Sequence, residues 1–569
     1  MVFRRISLCL FLTAVLTTCL LSHAQAPTHG LLIRDARIYD GSGKPPFQGD
    51  IRIQGDRIVA VAPHLQPIPH EEGIDAKGLA VAPGFIDMHS HAAGGIFKDP
   101  TADVVILQGV TTILAGQDGE SEFPLADFFA KLEKNPVAIN IASMSGQGTL
   151  REQVMGKDLL RPATPAELAK MKDLLAREMQ AGAFGLSTGL EYDPAHFSTL
   201  EELVGLSNVA ARYGGFYISH VRDEGNAVFD SFAELIEIGR QAHLPVEITH
   251  IKLATTPVWH QAAKRMPELF AQAKREGVDL RADVYPYTYW HSNIRVILLD
   301  RDYFNAEKVA KAIKENGGPD RIHVVHFEPD PSVNDHTLQQ IADKWRMTPV
   351  KAYMKIVKDT EPGPDGKEKE EDVIVESMSE DDVRWFIADP RITFCSDGGL
   401  TMQHPRSAGT FPRIVGRYAR DEKVLSMEAA IHKMTGLPAQ QLGLKDRGLI
   451  AKGYIADLVL FNPSTIIDRS TIEHWNAPPE GIPGVMVGGV WVVRDGQITG
   501  AKPGKVLRHR FSEPLFLQAL HLEVRGIPLS SNQLPLALNS KRKRINLIRR
   551  IPWPSNWVFG VNGAKNRQG

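Results

Sequence analysis

Two rhythms of apolar and polar positions divide the chain. Residues 31–38 and 50–61 alternate with a period of two and are separated by Gly and Pro, which predicts short antiparallel strands. The same alternation returns at 456–461 and 485–493. Two distant β-rich stretches around a long middle predict one small β-sandwich domain built from both ends, 27–80 and 446–510. In the middle, apolar strand candidates recur at 80–88, 110–115, 137–143, 183–188, 215–219, 245–249, 279–285 and 391–395. Helical patterns such as 165–181, 200–213 and 227–242 lie between them. Eight β-then-α units over residues 81–445 predict a closed parallel (β/α)8, TIM-like barrel, with a doubly wound open sheet as the alternative. More than a hundred residues separate the seventh and eighth strands, so an inserted subdomain is expected at about 290–385. Within it, 361–371 is dense in charge, Pro and Gly and reads as an exposed loop.

Composition narrows the function classes. With 65 Lys and Arg against 67 Asp and Glu, the net charge of −2 offers no global field for nucleic acid. The charge is uneven: 511–569 holds nine basic and two acidic residues, a net +7, so the rest carries −9. That stretch reads as a basic C-terminal extension with a solvated or anion-facing role. At the other end, Arg4 and Arg5 precede an apolar run at 6–21, and Ala24 and Ala26 offer the small residues of a cleavage site. This predicts a signal peptide, 1–26, and an exported protein, periplasmic or secreted. The run is short and poorly flanked for a stable membrane span, an uncleaved anchor being the alternative reading, and no other stretch is long and apolar enough to span a bilayer. Cys9 and Cys19 would leave with the leader, so Cys395 remains alone and no internal disulfide is expected.

The candidate chemistry sits at the ends of the predicted strands, the rim where barrels carry function. The first ends in Asp87, Met88, His89, Ser90 and His91, and two histidines at i and i+2 on a strand point the same way. The second ends in Gly116, Gln117, Asp118 and Gly119, the fifth in His220, the sixth in His250 and the eighth in Ser396, Asp397 and Gly398. One His-x-His pair is common by chance. Four histidines and two aspartates, each just past an apolar strand, predict a metal centre of one or two borderline divalent ions such as Zn²⁺.

Pro83 to His91, the lone strand-end histidines and Ser396-Asp397-Gly398 resemble the amidohydrolase superfamily. Within it, Ser187 to Tyr192, Asp283-Val284-Tyr285-Pro286-Tyr287 and His404-Pro405-Arg406 resemble the N-acyl-D-amino-acid deacylases, the D-aminoacylases. The resemblance implies that His220 and His250 hold the tighter zinc, with His89, His91 and Asp397 around a second position. It implies substrate contacts from Tyr192, Lys252, Tyr285 and Arg406, the last a planar fork suited to an α-carboxylate. Two positions depart from the family. Asp118 stands where a cysteine is usual after the second strand, and Thr288-Tyr289-Trp290-His291-Ser292 replaces a segment of small residues.

The resemblance implies a zinc-dependent hydrolase that cleaves N-acyl-D-amino acids, or a short D-peptide, with Asp397 as the general base. A D-specific dipeptidase is the nearest rival. A cyclic-amide hydrolase commonly uses a carboxylated lysine at the fourth strand, and none stands between Gly185 and Leu190. A metal-dependent peptide-binding protein without turnover would leave the complete proton-transfer set unexplained. Cys395 precedes the proposed base by two positions and reads as core.

Overall fold

The computed structural model describes residues 30–363 and 369–510. The expected leader, the basic extension and part of the charged loop at 361–371 lie outside the described residues.

Eight strands carry the middle of the chain. Phe85–Asp87, Val110–Ala115 and Asn140–Ser143 pair in parallel as one run. Gly185–Gly189, Phe216–His220, Val246–Ile248, Leu280–Val284 and Ile392–Phe394 pair in parallel as another. Backbone bonds join the two runs at both seams. Phe184 N donates to Ser143 O at 2.9 Å, and the short strand Ser145–Gly146 pairs with Leu186 and Ser187. At the other seam His91 N donates to Gly398 O at 2.8 Å and Asp397 N to His89 O at 2.9 Å. The result is the (β/α)8 barrel. Helices wrap it where the spacing placed them: Pro165–Ala181, Leu200–Arg212 and Val228–Ala242. The first of these starts at a capping box, Thr164 with Glu167, and stops at Gly182 with φ of 114°. Ile86, Met88, Leu114, Ala142 and Ile218 form a buried cluster with Leu442, while Ile113, Ile141, Leu186 and Ile248 face the helices. Alternation along each strand serves both cores at once.

The first apolar run, 80–88, is two strands and not one. Ala80–Pro83 pairs with Leu458–Phe461 in the satellite sheet, and only Phe85–Asp87 joins the barrel. Pro83 has no N–H to continue a ladder, and a Cβ at Gly84 would stand 2.1 Å from Thr111 Oγ1. The chain changes sheets at this pair. The satellite is one hydrogen-bonded path of strands from both ends of the chain. The N-terminal strands Gly30–Ile38 and Ala80–Pro83 lie at its centre beside Leu458–Phe461 and Gly484–Val487. The alternation at 485–493 is a hairpin: Gly488 and Gly489, φ 54° and 79°, turn the chain between Val487 and Val490. From Gly504 to His509 the chain returns to the barrel, bonding Val137, Ile141 and Gly182.

Between the seventh and eighth barrel strands lies the expected insertion. Trp290–Ser292, Glu371–Val375, Ile322–Phe327 and His336–Thr337 form an antiparallel sheet. Ala306–Glu315, Leu338–Lys344 and Pro349–Asp359 are its helices. Glu380–Ala388 already packs on the last two barrel strands, so the insertion closes before it. Among the described residues no helix is long and apolar enough to cross a membrane.

Candidate metal centre

Asp87 ties the first strand to the eighth. Its carboxylate accepts from Ser396 N at 2.8 Å and Ser396 Oγ at 2.5 Å, and burial pushes its pKa up to about 7. Beyond this clamp the strand ends turn inward. Asp118, His250 and Asp397 all hold positive φ, at 53°, 34° and 49°. Non-glycine residues enter that region at a cost, and here it redirects three side chains from the wall into the mouth.

All six residues expected at the centre meet. His89 Nε2 and His91 Nε2 are 3.1 Å apart. Asp118 Oδ2 lies 3.4 and 3.3 Å from them, and Asp397 Oδ1 lies 3.3 Å from both. A tetrahedral ion with ligands at about 2.0–2.1 Å has ligand-to-ligand edges of about 3.3–3.4 Å. The four histidine-to-carboxylate distances have that spacing, and the histidine pair is slightly closer at 3.1 Å. A second set joins the first through the same aspartate: His220 Nδ1 is 3.1 Å from His250 Nε2, which is 3.4 Å from Asp118 Oδ1. That oxygen is buried and has no hydrogen-bond partner among the described residues. The residues fit a divalent ion, and Asp118 offers one oxygen to each set.

The charges agree. Burial would raise Asp397, yet Arg406, His250 and His89 hold it well below the usual carboxylate range. Burial is likewise overcome at Asp118, chiefly by His89 and His250. Burial depresses His89, whereas at His91 the bonds and charges of Asp118 and Asp397 outweigh it and push the pKa up to about 10. Carboxylates that draw protons onto neighbouring imidazoles draw a metal cation in their place.

Outer partners orient the rings. His220 Nε2 is 2.9 Å from Glu191 Oε2, which directs Nδ1 at the second set. His250 Nδ1 is 3.1 Å from Glu224 Oε1 and 2.7 Å from Lys252 Nζ. Glu191, His220 and Glu224 also cluster as a ligand set would. Lys252 Nζ, however, bonds both Glu224 oxygens at 2.7 and 2.8 Å, so a cation already occupies that carboxylate. Sequence reasoning assigned no role to Glu191 or Glu224. Glu191 stands beside Tyr192 in the 187–192 stretch, and Glu224 lies four residues past His220; neither position marks a ligand's partner.

Three of the expected substrate residues, Tyr192, Lys252 and Arg406, line a cleft of about 1040 Å³; the fourth, Tyr285, is buried behind Arg406 and does not reach it. The Tyr192 ring packs on His220 with centroids 4.5 Å apart. Tyr285 lies under the Arg406 guanidinium at 4.8 Å, with burial raising its hydroxyl. Arg406 is buried, bonds Asp397 Oδ2 at 2.8 Å and leaves Nε without a partner among the described residues. The insertion supplies the opposite wall with Trp290, His291, Ile297 and Leu298. Burial and the Arg406 charge depress His291 to about 3, so this ring is neutral. Cys395 is a free, buried thiol that does not line the cleft, and burial raises its pKa.

Residues 72–358 and 366–493 match the Amidohydrolase family. A D-aminoacylase of Alcaligenes xylosoxydans xylosoxydans is 33% identical over 86% of this chain and 99% of its own length. An N-acyl-D-aspartate deacylase from the same organism is 34% identical over 84% of this chain and 94% of its own. Among solved structures, an N-acyl-D-glutamate deacylase from Bordetella bronchiseptica, complexed with zinc and a phosphonate mimic of the tetrahedral intermediate, superposes with a TM-score of 0.75. It is 30% identical over 84% of this chain and 99% of that one.

Proposed function

The chain belongs to the amidohydrolase family, and on that premise we propose that it is a zinc-dependent deacylase releasing a carboxylate and a free D-amino acid from N-acyl-D-amino acids. It is a hydrolase of amide bonds. The observation that carries the finer reading is the convergence of both ligand sets on Asp118, with Asp397 and Arg406 side by side at the edge of the same cleft.

Bound between these residues, zinc would supply Lewis acidity and a water of lowered pKa. Asp397 takes the proton from the attacking water and returns it to the departing nitrogen as the C–N bond breaks. Arg406 places the substrate. Its fork matches a planar carboxylate, and its unpartnered Nε is a donor already stripped of water. Tyr192 lines the same cleft, where its hydroxyl can polarise the substrate carbonyl, while Lys252, with its three donors on Glu224 and His250, supports the centre from behind.

Paired N-acetyl-D and N-acetyl-L amino acids, with zinc measured on the same sample, test this reading. Release from the D series by a zinc-containing sample is the expected result. Release from the L series alone overturns the stereochemistry, and cleavage of D-dipeptides in preference to acyl amino acids favours the dipeptidase. Export rests on Arg4, Arg5 and the apolar run that follows. A mature N-terminus at Pro27 is the expected outcome of sequencing the secreted or periplasmic protein.

A further inference from the structure

One polar chain at the centre takes no part in the proposed reaction. His89 Nδ1 lies 2.6 Å from Thr249 Oγ1, and Thr249 Oγ1 lies 3.0 and 3.2 Å from the two oxygens of Asp283. Asp283 Oδ1 in turn accepts from His250 N at 2.6 Å. All of these side chains are buried.

We propose that Thr249 is a positioning residue that fixes the tautomer of His89, and so makes its Nε2 a ligand. The inference rests on the metal reading of the centre. A threonine hydroxyl has one proton and two lone pairs, and a carboxylate only accepts. Beside Asp283, the Thr249 proton goes to the carboxylate, so the hydroxyl shows His89 only lone pairs. His89 must then carry its proton on Nδ1. Nε2 is left with a lone pair at the point where Asp118 and Asp397 lie 3.4 and 3.3 Å away. His220 and His250 have carboxylates behind them, Glu191 and Glu224, whereas His89 reaches its carboxylate through a hydroxyl. Partners behind a ligating histidine set ring orientation and basicity, and losing one costs about 10–100-fold in metal affinity.

Chelator competition on the full chain tests this, with zinc as the probe and cobalt(II) absorption as the signature of the coordination sphere. Thr249→Val keeps the shape and removes the hydroxyl. It should weaken one zinc by about 10–100-fold and change the cobalt spectrum, while Thr249→Ser stays close to wild type on both. Asp283→Asn is the second variant. Its amide can donate to Thr249 and turn the hydroxyl proton towards His89, so it should also weaken zinc although the threonine is intact. Thr249→Val and Asp283→Asn proteins that hold zinc as wild type does would overturn the proposal. So would a Thr249→Ser protein that loses as much as Thr249→Val. A wild-type protein that takes up neither zinc nor cobalt would overturn the metal reading itself, and the inference with it.

Discussion

The two walls of the cleft are built differently. On the barrel side, imidazole nitrogens and carboxylate oxygens from the ends of the first, second, fifth, sixth and eighth strands lie 3.1–3.4 Å from their neighbours, just past the parallel ladders that position them. On the insertion side, Trp290, Ile297 and Leu298 give the wall an apolar stretch, and neighbouring polar groups are bonded inside the insertion: Arg295 bonds Val357 O and Thr360, and Glu371 accepts from Ile294 N. A barrel rim can bring residues far apart in sequence to one point, so it carries the reaction. An antiparallel sheet stitched to its rim offers shape, and the expectation is that it governs which side chains fit. Chemistry and preference should therefore be separable by mutation.

The largest effects belong to the barrel side. Asp397→Asn should keep most of its zinc and lose about 10²–10⁴-fold in kcat, because an amide cannot take and return the proton. Asp118→Ala should lose both turnover and tightly held zinc, and Asp118→Cys should retain zinc as a thiolate ligand. Metal per protein after gel filtration distinguishes the three. Full zinc and near-normal rates in Asp118→Ala would remove Asp118 from the centre and break the comparison on its stronger side.

Arg406 stands at the join of the two walls. Arg406→Lys should lower kcat/KM roughly tenfold to a hundred-and-fiftyfold on acyl amino acids, the cost of about 1.5–3 kcal/mol for a buried charged hydrogen bond. An acyl amine without the carboxylate should be poor for both proteins and almost indifferent to the change. Equal losses on both substrates would make Arg406 a support for Asp397 alone.

On the insertion side, Leu298→Ala should shift the ratio of kcat/KM between long and short side chains by about 10-fold to 200-fold, with zinc content unchanged. A loss of zinc would show that the walls are coupled. Smaller still is the pH response of Glu371, whose pKa burial pushes up to about 8. The folded protein keeps a proton there that the unfolded chain releases near the ordinary glutamate value. Its contribution to stability is therefore complete at low pH and lost as pH rises through about 8. Glu371→Gln should flatten the fall of Tm between about pH 4.5 and 8 and leave zinc binding alone; a parallel fall in both proteins would sink the assignment. Truncation after Arg510 should change neither rate nor zinc, because the chain from Gly504 to His509 that bonds Val137, Ile141 and Gly182 is retained.

Much of this was legible in one dimension. The period-two runs and the repeated β-then-α spacing specify a barrel with a satellite, because alternation encodes which face is buried, and the distance between strands encodes a crossover helix. The six positions that meet at the mouth were legible because a residue just past an apolar strand has one place to go, the rim. What the pattern could not specify is adjacency. Whether Thr249 meets Asp283 or another acid, and whether Glu191 or Asp193 stands behind His220, depends on register between strands whose local sequences are equally apolar. The switch of sheets at Pro83 and Gly84 depends on Thr111 crowding that glycine from the next strand. The division of Asp118, one oxygen towards His89 and His91 and the other towards His250, depends on a left-handed backbone turn that no composition announces. Sequence by itself determined which residues reach the mouth of the barrel, since that follows from local periodicity; tertiary structure alone decided which atoms face one another there, since that follows from closing the ring.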